Sequence, residues 1–127
     1  MQTTELRLTR GDTETYTLTF VDSAGTAKNI TNWIIFFTLK SNWDVPDSEA
    51  DLQKIVTSHS DPTAGITQVV LTHADTHALT PGEYYFDFQA VTASEAEVVT
   101  VLRGTFTLDY DVTKTVSTAG TAGTAGT

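Results

Sequence analysis

The sequence has no cysteine, few basic residues and no long apolar run. Without cysteine, disulfide bonds and thiolate ligands for metals are both excluded. Because 7 Lys and Arg residues stand against 16 Asp and Glu residues, the formal net charge is −9, and a polyanion such as DNA would be repelled. The longest apolar stretch, residues 33–37, has the length of a strand rather than of a membrane span. We therefore expect a partner that is neither a nucleic acid nor a membrane.

The composition changes near the C-terminal end. The 127 residues suit one domain with a single core, and we place this domain at residues 1–112. Residues 113–127 form an arm rich in Thr, Ala and Gly, which repeats Thr-Ala-Gly without any large apolar side chain. Such a repeat has nothing to bury, so we expect a flexible C-terminal tail.

Short runs of alternating apolar and polar residues, separated by turns with Gly, Asp and Pro, extend from residue 5 to residue 112. In one run, Tyr16, Leu18 and Phe20 alternate with threonines, and this period of two predicts a half-buried strand. About 7–9 such strands, mostly joined as hairpins, predict an all-β fold, an immunoglobulin-like antiparallel β-sandwich.

Three local patterns carry more detailed expectations. Residues 30–39 are apolar on both faces, which indicates an interior strand covered on two sides. Thr72 with Asp75 three residues later predicts one capped helical turn. Residues 97–112 read either as two strands or as one strand bent at Gly104.

The tripeptide Arg10-Gly11-Asp12 matches the short sequence recognised by integrins. Three residues carry very little specificity, and Gly-Asp between two strand patterns is ordinary turn chemistry. We expect a hairpin turn here.

His73, Asp75 and His77 are the nearest approach to a metal site. On a helical turn the two histidines would share a face, but zinc would need a third protein ligand and Asp75 would point elsewhere. We expect these residues to be surface or capping residues of a connection.

A long acidic loop at residues 41–51 interrupts the strand pattern and carries Asp44, Asp47, Glu49 and Asp51. Its oxygen-rich side chains suit calcium, but the central Gly and the spacing of an EF-hand loop are missing. A solvated loop is the simplest interpretation. The functional alternatives are a calcium site or an acidic contact for a basic partner.

The sequence lacks a nucleophile beside an oriented base, a glycine-rich phosphate loop and a pair of carboxylates on an apolar strand. We therefore predict a protein that is not an enzyme and that uses no cofactor. Trp43, Tyr85 and Tyr110 could bind sugars if they were exposed, but we expect each of them to pack in the core or along an edge.

From Arg10 to Val112, the order of the motifs resembles the N-terminal β-sandwich domain of phage upper-baseplate proteins and of related tail and head-fibre proteins. The matching motifs are Gly11-Asp12, Asp22-Ser23-Ala24-Gly25, Ile30-Thr31-Asn32-Trp33, Ala64-Gly65-Ile66, Leu71-Thr72 with Asp75-Thr76, Pro81-Gly82-Glu83-Tyr84-Tyr85-Phe86-Asp87-Phe88 and Gly104-Thr105-Phe106-Thr107-Leu108.

The resemblance implies a structural protein of the virion that contacts other virion proteins and copies of itself, as a homo-oligomer within a larger assembly. Such domains usually precede a fibre, whereas this sequence stops after the repeat. We therefore expect a small adaptor or accessory module of a tail or baseplate, or a capsid decoration protein. The candidate partner contacts are Trp43, Asp44, Asp47, Glu49, Asp51, Thr118, Gly120, Gly123 and Gly126.

A carbohydrate-binding β-sandwich module is the alternative function. It would place Trp43 and a tyrosine on an exposed platform, with calcium under the acidic loop as a possible addition. Saturable binding of a polysaccharide that is lost in Trp43→Ala would favour this alternative over the structural role.

Overall fold

The structure, a computed structural model, describes residues 2–93 and 97–112. In this part of the chain the strands are β1 Gln2–Thr9, β2 Glu14–Thr19, β3 Ile34–Lys40, β4 Leu52–Val56, β5 Ile66–Leu71, β6 Gly82–Val91 and β7 Val98–Asp109. One short helix, α1, spans His73–His77, and single 3-10 turns span Asp47–Glu49 and Pro62–Ala64.

The strands form two sheets. One sheet has five strands in the order β1-β7-β6-β3-β4, and the other pairs β2 with β5. The expected all-β sandwich is confirmed, and its strands are as many as the sequence pattern predicts. Most pairings are antiparallel, as expected, whereas β1 runs parallel to β7.

The turn at Arg10-Gly11-Asp12 connects β1 with β2, which does not pair with it. The backbone N–H of Asp12 donates to the carbonyl of Thr9 over 3.0 Å, and Gly11 has a φ of 87°, in the region that favours glycine. However, β1 belongs to the five-stranded sheet and β2 to the other. The predicted hairpin is therefore wrong: the turn carries the chain from one sheet to the other.

Inward-facing side chains of both sheets form one core around Phe37. Its ring centroid lies 4.9 Å from that of Phe88 and 6.1 Å from that of Tyr16. Because Tyr16 belongs to β2, this contact joins the two sheets. Burying a large apolar side chain contributes about 1.5–3 kcal/mol, so packing between the sheets is a main source of stability. The buried apolar residues are Leu8, Phe20, Ile30, Ile35, Phe37, Leu39, Val69, Leu71, Leu79, Tyr84, Phe86, Phe88, Ala90, Phe106 and Leu108.

Strand β3 is an interior strand, as its sequence indicates, since it pairs with β6 on one side and β4 on the other. Its outward residues Ile34 and Phe36 are only half-buried, so the second face of this strand is not fully covered.

The residues around Gly104 belong to one strand, β7, and the strand has no break at Gly104. Its pairing with β6 is irregular at another position. Phe88 pairs with Leu102 and Gln89 with Thr100, so the register shifts at that point.

Helix α1 begins with the predicted cap. The hydroxyl of Thr72 accepts from the backbone N–H of Asp75, and the Asp75 carboxylate accepts from the backbone N–H of Thr72. Lys54 of β4 donates to the same carboxylate over 2.8 Å. The cap therefore also ties this connection to the edge of the five-stranded sheet.

Candidate functional site

The outward face of the five-stranded sheet contains a surface depression of about 620 Å³. Strands β3, β4, β6 and β7 form its floor, and the loop at residues 41–51 forms a wall. We call this depression the outer groove. The residues that matter most to its chemistry are Phe36, Trp43, Tyr85, Asp87, Gln89 and Arg103.

The strand register places polar side chains in a row across the floor of the outer groove. Thr38 lies opposite Asp87, and Asp87 lies opposite Arg103. On the other side of Thr38, Gln53 donates its amide N–H to the Thr38 hydroxyl over 3.0 Å. Opposite residues on neighbouring strands lie on the same face, about 5 Å apart. The row therefore places a carboxamide, a carboxylate and a guanidinium around the buried Thr38, side by side.

Aromatic side chains flank this polar row. On β6, Tyr85 comes two residues before Asp87, and it lies opposite Lys40 on β3 and Thr105 on β7. On the other side of the row, Phe36 comes two residues before Thr38 on β3, and it lies opposite Gln89. Trp43 reaches the groove from the loop, and its side chain is 67% exposed. The outer groove thus combines aromatic surface with groups that donate and accept hydrogen bonds.

The loop at residues 41–51 is fastened to the sheet by its own polar groups. The Lys40 ammonium donates to the carbonyl of Val45 over 2.7 Å and to the Asp47 carboxylate over 2.9 Å. At the end of the loop, the Asp51 carboxylate accepts from the backbone N–H of Ser41 over 2.6 Å. These contacts hold the loop, and with it Trp43, against the sheet.

The candidate partner contacts in the loop therefore divide into two groups. Asp47 and Asp51 are exposed but already serve to hold the loop, whereas Asp44 and Glu49 extend into solvent. Within residues 2–93 and 97–112, no three His, Asp or Glu side chains are arranged to hold a metal ion.

Asp87 is the most unusual charged group of the outer groove. Burial raises the pKa of its carboxyl group above the ordinary value, the charge of Asp47 raises it further, and Lys40 opposes both effects. Among the described residues, the side chains of Asp87 and Arg103 have no hydrogen bond or ion pair. Both charged groups keep their hydrogen-bonding capacity available to a ligand.

The expectation that Trp43, Tyr85 and Tyr110 pack in the core or along an edge is wrong. Their exposed fractions are 67%, 45% and 80%. Tyr85 points outward because Tyr84 and Phe86, its neighbours along β6, point into the core. Trp43 stands on the loop, and Tyr110 follows the end of β7. The sequence signal for Tyr85 was its position between two inward-facing aromatics.

The histidine pair lies at the turn between the sheets, as expected for residues of a connection. His73 Nδ1 is 2.6 Å from the carbonyl oxygen of Gly11, and the rings of His73 and His77 have centroids 5.0 Å apart. Asp75 turns away to cap the helix and to bind Lys54. Hydrogen bonds and helix capping explain the roles of His73 and Asp75.

A second feature lies where the described chain ends. The Arg10 guanidinium contacts the buried carboxylate of Asp111 at 3.2 Å and donates to the carbonyl of Leu79 over 2.9 Å. On either side of Asp111, Tyr110 is 80% exposed and Val112 is 95% exposed. We call residues 110–112 the C-terminal root. The arm residues Thr118, Gly120, Gly123 and Gly126 lie outside the described residues.

No protein-family model matches the chain, and no curated protein matches it either. Within the described residues, no helix has the length and apolar character that a membrane crossing requires.

Several solved structures show some likeness to the chain, among them a phage domain and a cell receptor. The N-terminal domain of ORF48 of phage TP901-1 is 18% identical, with a TM-score of 0.45, over 84% of this chain and 82% of that one. The NK cell receptor NKp44, a triggering partner in natural cytotoxicity, is 17% identical, with a TM-score of 0.44, over 84% and 96%. The first is a domain of a phage protein. At these identities and TM-scores, function has to be argued from the chain's own residues.

Proposed function

We propose that the chain is a non-enzymatic structural protein of a bacteriophage virion, a small adaptor or accessory module that docks onto a symmetric assembly. The observation that carries the proposal is the C-terminal root. Two large apolar side chains, Tyr110 and Val112, are held out to solvent by an anchored residue between them. We assign these two side chains, with the anchored residue between them, to a surface that a partner covers.

The anchor explains why the root suits docking. Asp111 is buried against Arg10, and Arg10 is also bound to Leu79, so these contacts tie the root to the body of the domain. A pre-organised contact loses less conformational freedom on binding than a flexible one. The arm at residues 113–127 continues from this root, and we assign it to the same interface.

The uses of the acidic groups support a structural role. Asp75 caps helix α1 and binds Lys54, Asp111 anchors the root, and Asp47 and Asp51 hold the acidic loop. These carboxylates stabilise local structure. In an assembly of many copies, weak contacts made by each root would add up to firm attachment.

The test is incorporation into particles. Virions purified from infected cells by density gradient should contain the wild-type protein, detected by peptide mass spectrometry. We expect truncation after Val112, and separately the double substitution Tyr110→Ser with Val112→Ser, to reduce its amount at least about tenfold. Tyr85→Ser, an exposed tyrosine on another face, is the matched control and should be incorporated normally.

Two outcomes would count against the proposal. If the wild-type protein is absent from purified particles, the virion role is wrong. If it is present and both root variants are incorporated at the wild-type level, the root is not the docking surface. Native mass measurement of the purified assembly would then give its copy number.

A further inference from the structure

We propose that the outer groove binds a neutral oligosaccharide, with Trp43 and Tyr85 stacking on sugar rings and the polar row across the floor binding hydroxyl groups. The inference rests on the groove alone and goes beyond the docking role, since the C-terminal root is a separate surface. It follows from three properties of the groove: its aromatic groups, its polar groups and its charge.

The aromatic groups are available for stacking. Trp43 is 67% exposed and Tyr85 is 45% exposed, although both line the same depression. The faces of aromatic rings bind apolar patches of C–H groups, and a pyranose ring presents such patches on its faces. Because Lys40 and Asp47 fasten the loop, Trp43 is held beside the sheet before any ligand arrives.

The polar groups have hydrogen-bonding capacity to spare. Asp87 accepts from hydroxyl groups, Arg103 donates to them, and the carboxamide of Gln89 can do both. In the described part of the chain, the side chains of Asp87 and Arg103 have no partner of their own. Arg103 is exposed, but Asp87 is half-buried, and a half-buried charge normally has such a partner. A ligand rich in hydroxyl groups would supply it.

The charge of the groove selects a neutral ligand. Its lining contains two acids, Asp47 and Asp87, and two bases, Lys40 and Arg103. Lys40 and Asp47 form an ion pair at 2.9 Å, and Asp87 faces Arg103 across neighbouring strands. The local charges therefore balance, although the chain as a whole is strongly acidic. A basic peptide or an anionic polymer would find no net charge of opposite sign here.

The open shape of the groove also suits an oligomer. Its floor spans four strands, and the polar row crosses the strands from Gln53 on β4 to Arg103 on β7. Neighbouring strands lie about 4.8 Å apart, so the row is long enough to contact more than one sugar unit. We infer that the site recognises consecutive residues of a chain rather than a free monosaccharide.

Titration with defined sugars tests the proposal. The protein contains two tryptophans, Trp33 and Trp43, so a Trp33→Phe variant reports on Trp43 alone by fluorescence. The probes are maltohexaose, cellohexaose and chitohexaose, with oligogalacturonate as the charged comparison. We expect saturable binding of at least one neutral hexamer with a blue shift of the Trp43 emission, and much weaker binding of oligogalacturonate.

The variants locate the site. Tyr85→Ala and Asp87→Ala should each weaken binding at least about tenfold, and Trp43→Ala should abolish it when followed by calorimetry. Val70→Ala removes an exposed apolar side chain of β5 that belongs neither to the outer groove nor to the C-terminal root, and this variant should bind like the wild type. Circular dichroism and urea unfolding of each variant separate a loss of binding from a loss of fold.

Three results would overturn the proposal. The first is no saturable binding of any neutral hexamer; the second is binding that survives Trp43→Ala. The third is a concentration-dependent self-association that Trp43→Ala abolishes, because the groove would then hold a second copy of the chain. The docking role is tested separately, by the incorporation of the C-terminal root variants into particles.

Discussion

The backbone of Gly104 lies so close to the backbone of Thr4 that a Cβ atom at position 104 would overlap the Thr4 carbonyl oxygen. Thr4 and Gly104 are opposite each other in the parallel pair of β1 and β7. Because the obstacle is backbone rather than a flexible side chain, neither strand can make room without breaking its hydrogen bonds to the other. Glycine is therefore needed at position 104 because β1 passes so close, and not because β7 bends there.

Gly104→Ala should therefore weaken or separate the pairing of β1 with β7. We expect a loss of about 2–4 kcal/mol in the free energy of unfolding, measured by urea denaturation. Gly25→Ala is the matched control: Gly25 has a φ of 85° but nothing within 4 Å of an added Cβ, so only the left-handed backbone is strained, at a cost of about 1–2 kcal/mol. Equal losses in the two variants would contradict the steric explanation.

The capping box of helix α1 should contribute measurably to stability. Removing the cap by Thr72→Ala is expected to lower the free energy of unfolding by about 1 kcal/mol. Thr80→Ala, a nearby exposed threonine whose side chain makes no hydrogen bond in the described structure, is the control and should change stability by less than about 0.5 kcal/mol.

The pH dependence of the same helix follows from Asp75. Burial alone would raise the pKa of Asp75, but hydrogen bonds from Lys54 and Thr72 lower it below the ordinary value. The folded state therefore favours the charged form, and this stabilisation is present above the unfolded pKa and is lost as pH falls through the folded pKa. Asp75→Asn should flatten the fall in melting temperature between about pH 5 and about pH 2. An unchanged slope would show that the carboxylate does not contribute in this way.

Asp87 should have the opposite effect on stability. Because burial raises the pKa of Asp87 in the folded state, its charged form disfavours folding at neutral pH. Asp87→Asn should raise the melting temperature at about pH 7, and the gain should shrink at about pH 3, where Asp87 is itself protonated. A lower melting temperature for the variant at neutral pH would disagree with this explanation. A charged residue that lowers the stability of the fold, as Asp87 does, is typical of a binding site.

Tyr16 makes stability sensitive to alkaline conditions. Burial raises the pKa of Tyr16 to about 12, with a contribution from the charge of Glu14. Ionisation therefore favours the unfolded chain: stability is intact below about pH 10 and falls as pH rises toward 12. Tyr16→Phe should lose less stability than the wild type between about pH 10 and about pH 12 in urea denaturation. Tyr110→Phe is the control, and a flattened profile in that variant as well would refute the assignment to Tyr16.

Local features of the fold could be predicted because neighbouring residues decide them. The alternation of Tyr16 and Leu18 with threonine identified β2, and Thr72 with Asp75 identified the cap of α1. The same alternation shows that Tyr85 must point away from the core, since Tyr84 and Phe86 point into it. Tyr85 is therefore exposed despite its aromatic ring, because its position in the strand decides which face it occupies.

Pairings between distant strands could not be predicted in the same way. Nothing near Arg10-Gly11-Asp12 tells whether the next strand returns beside β1 or crosses to the other sheet. That choice depends on β7 and β5, which lie far along the chain. The outer groove was missed for the same reason: Gln53, Asp87 and Arg103 are unremarkable in sequence, and only the registers of several strands bring them into one row.

The pairing of β1 with β7 has a consequence for synthesis. Arg7 and Asp109, which form an ion pair across the two strands, are 102 residues apart in sequence. While the chain is emerging from the ribosome, β1 has no sheet partner until β7 has been made, and contacts this distant slow the search for the folded state. We expect the nascent protein to complete its larger sheet only after release of that segment, with an unpaired strand in need of protection until then.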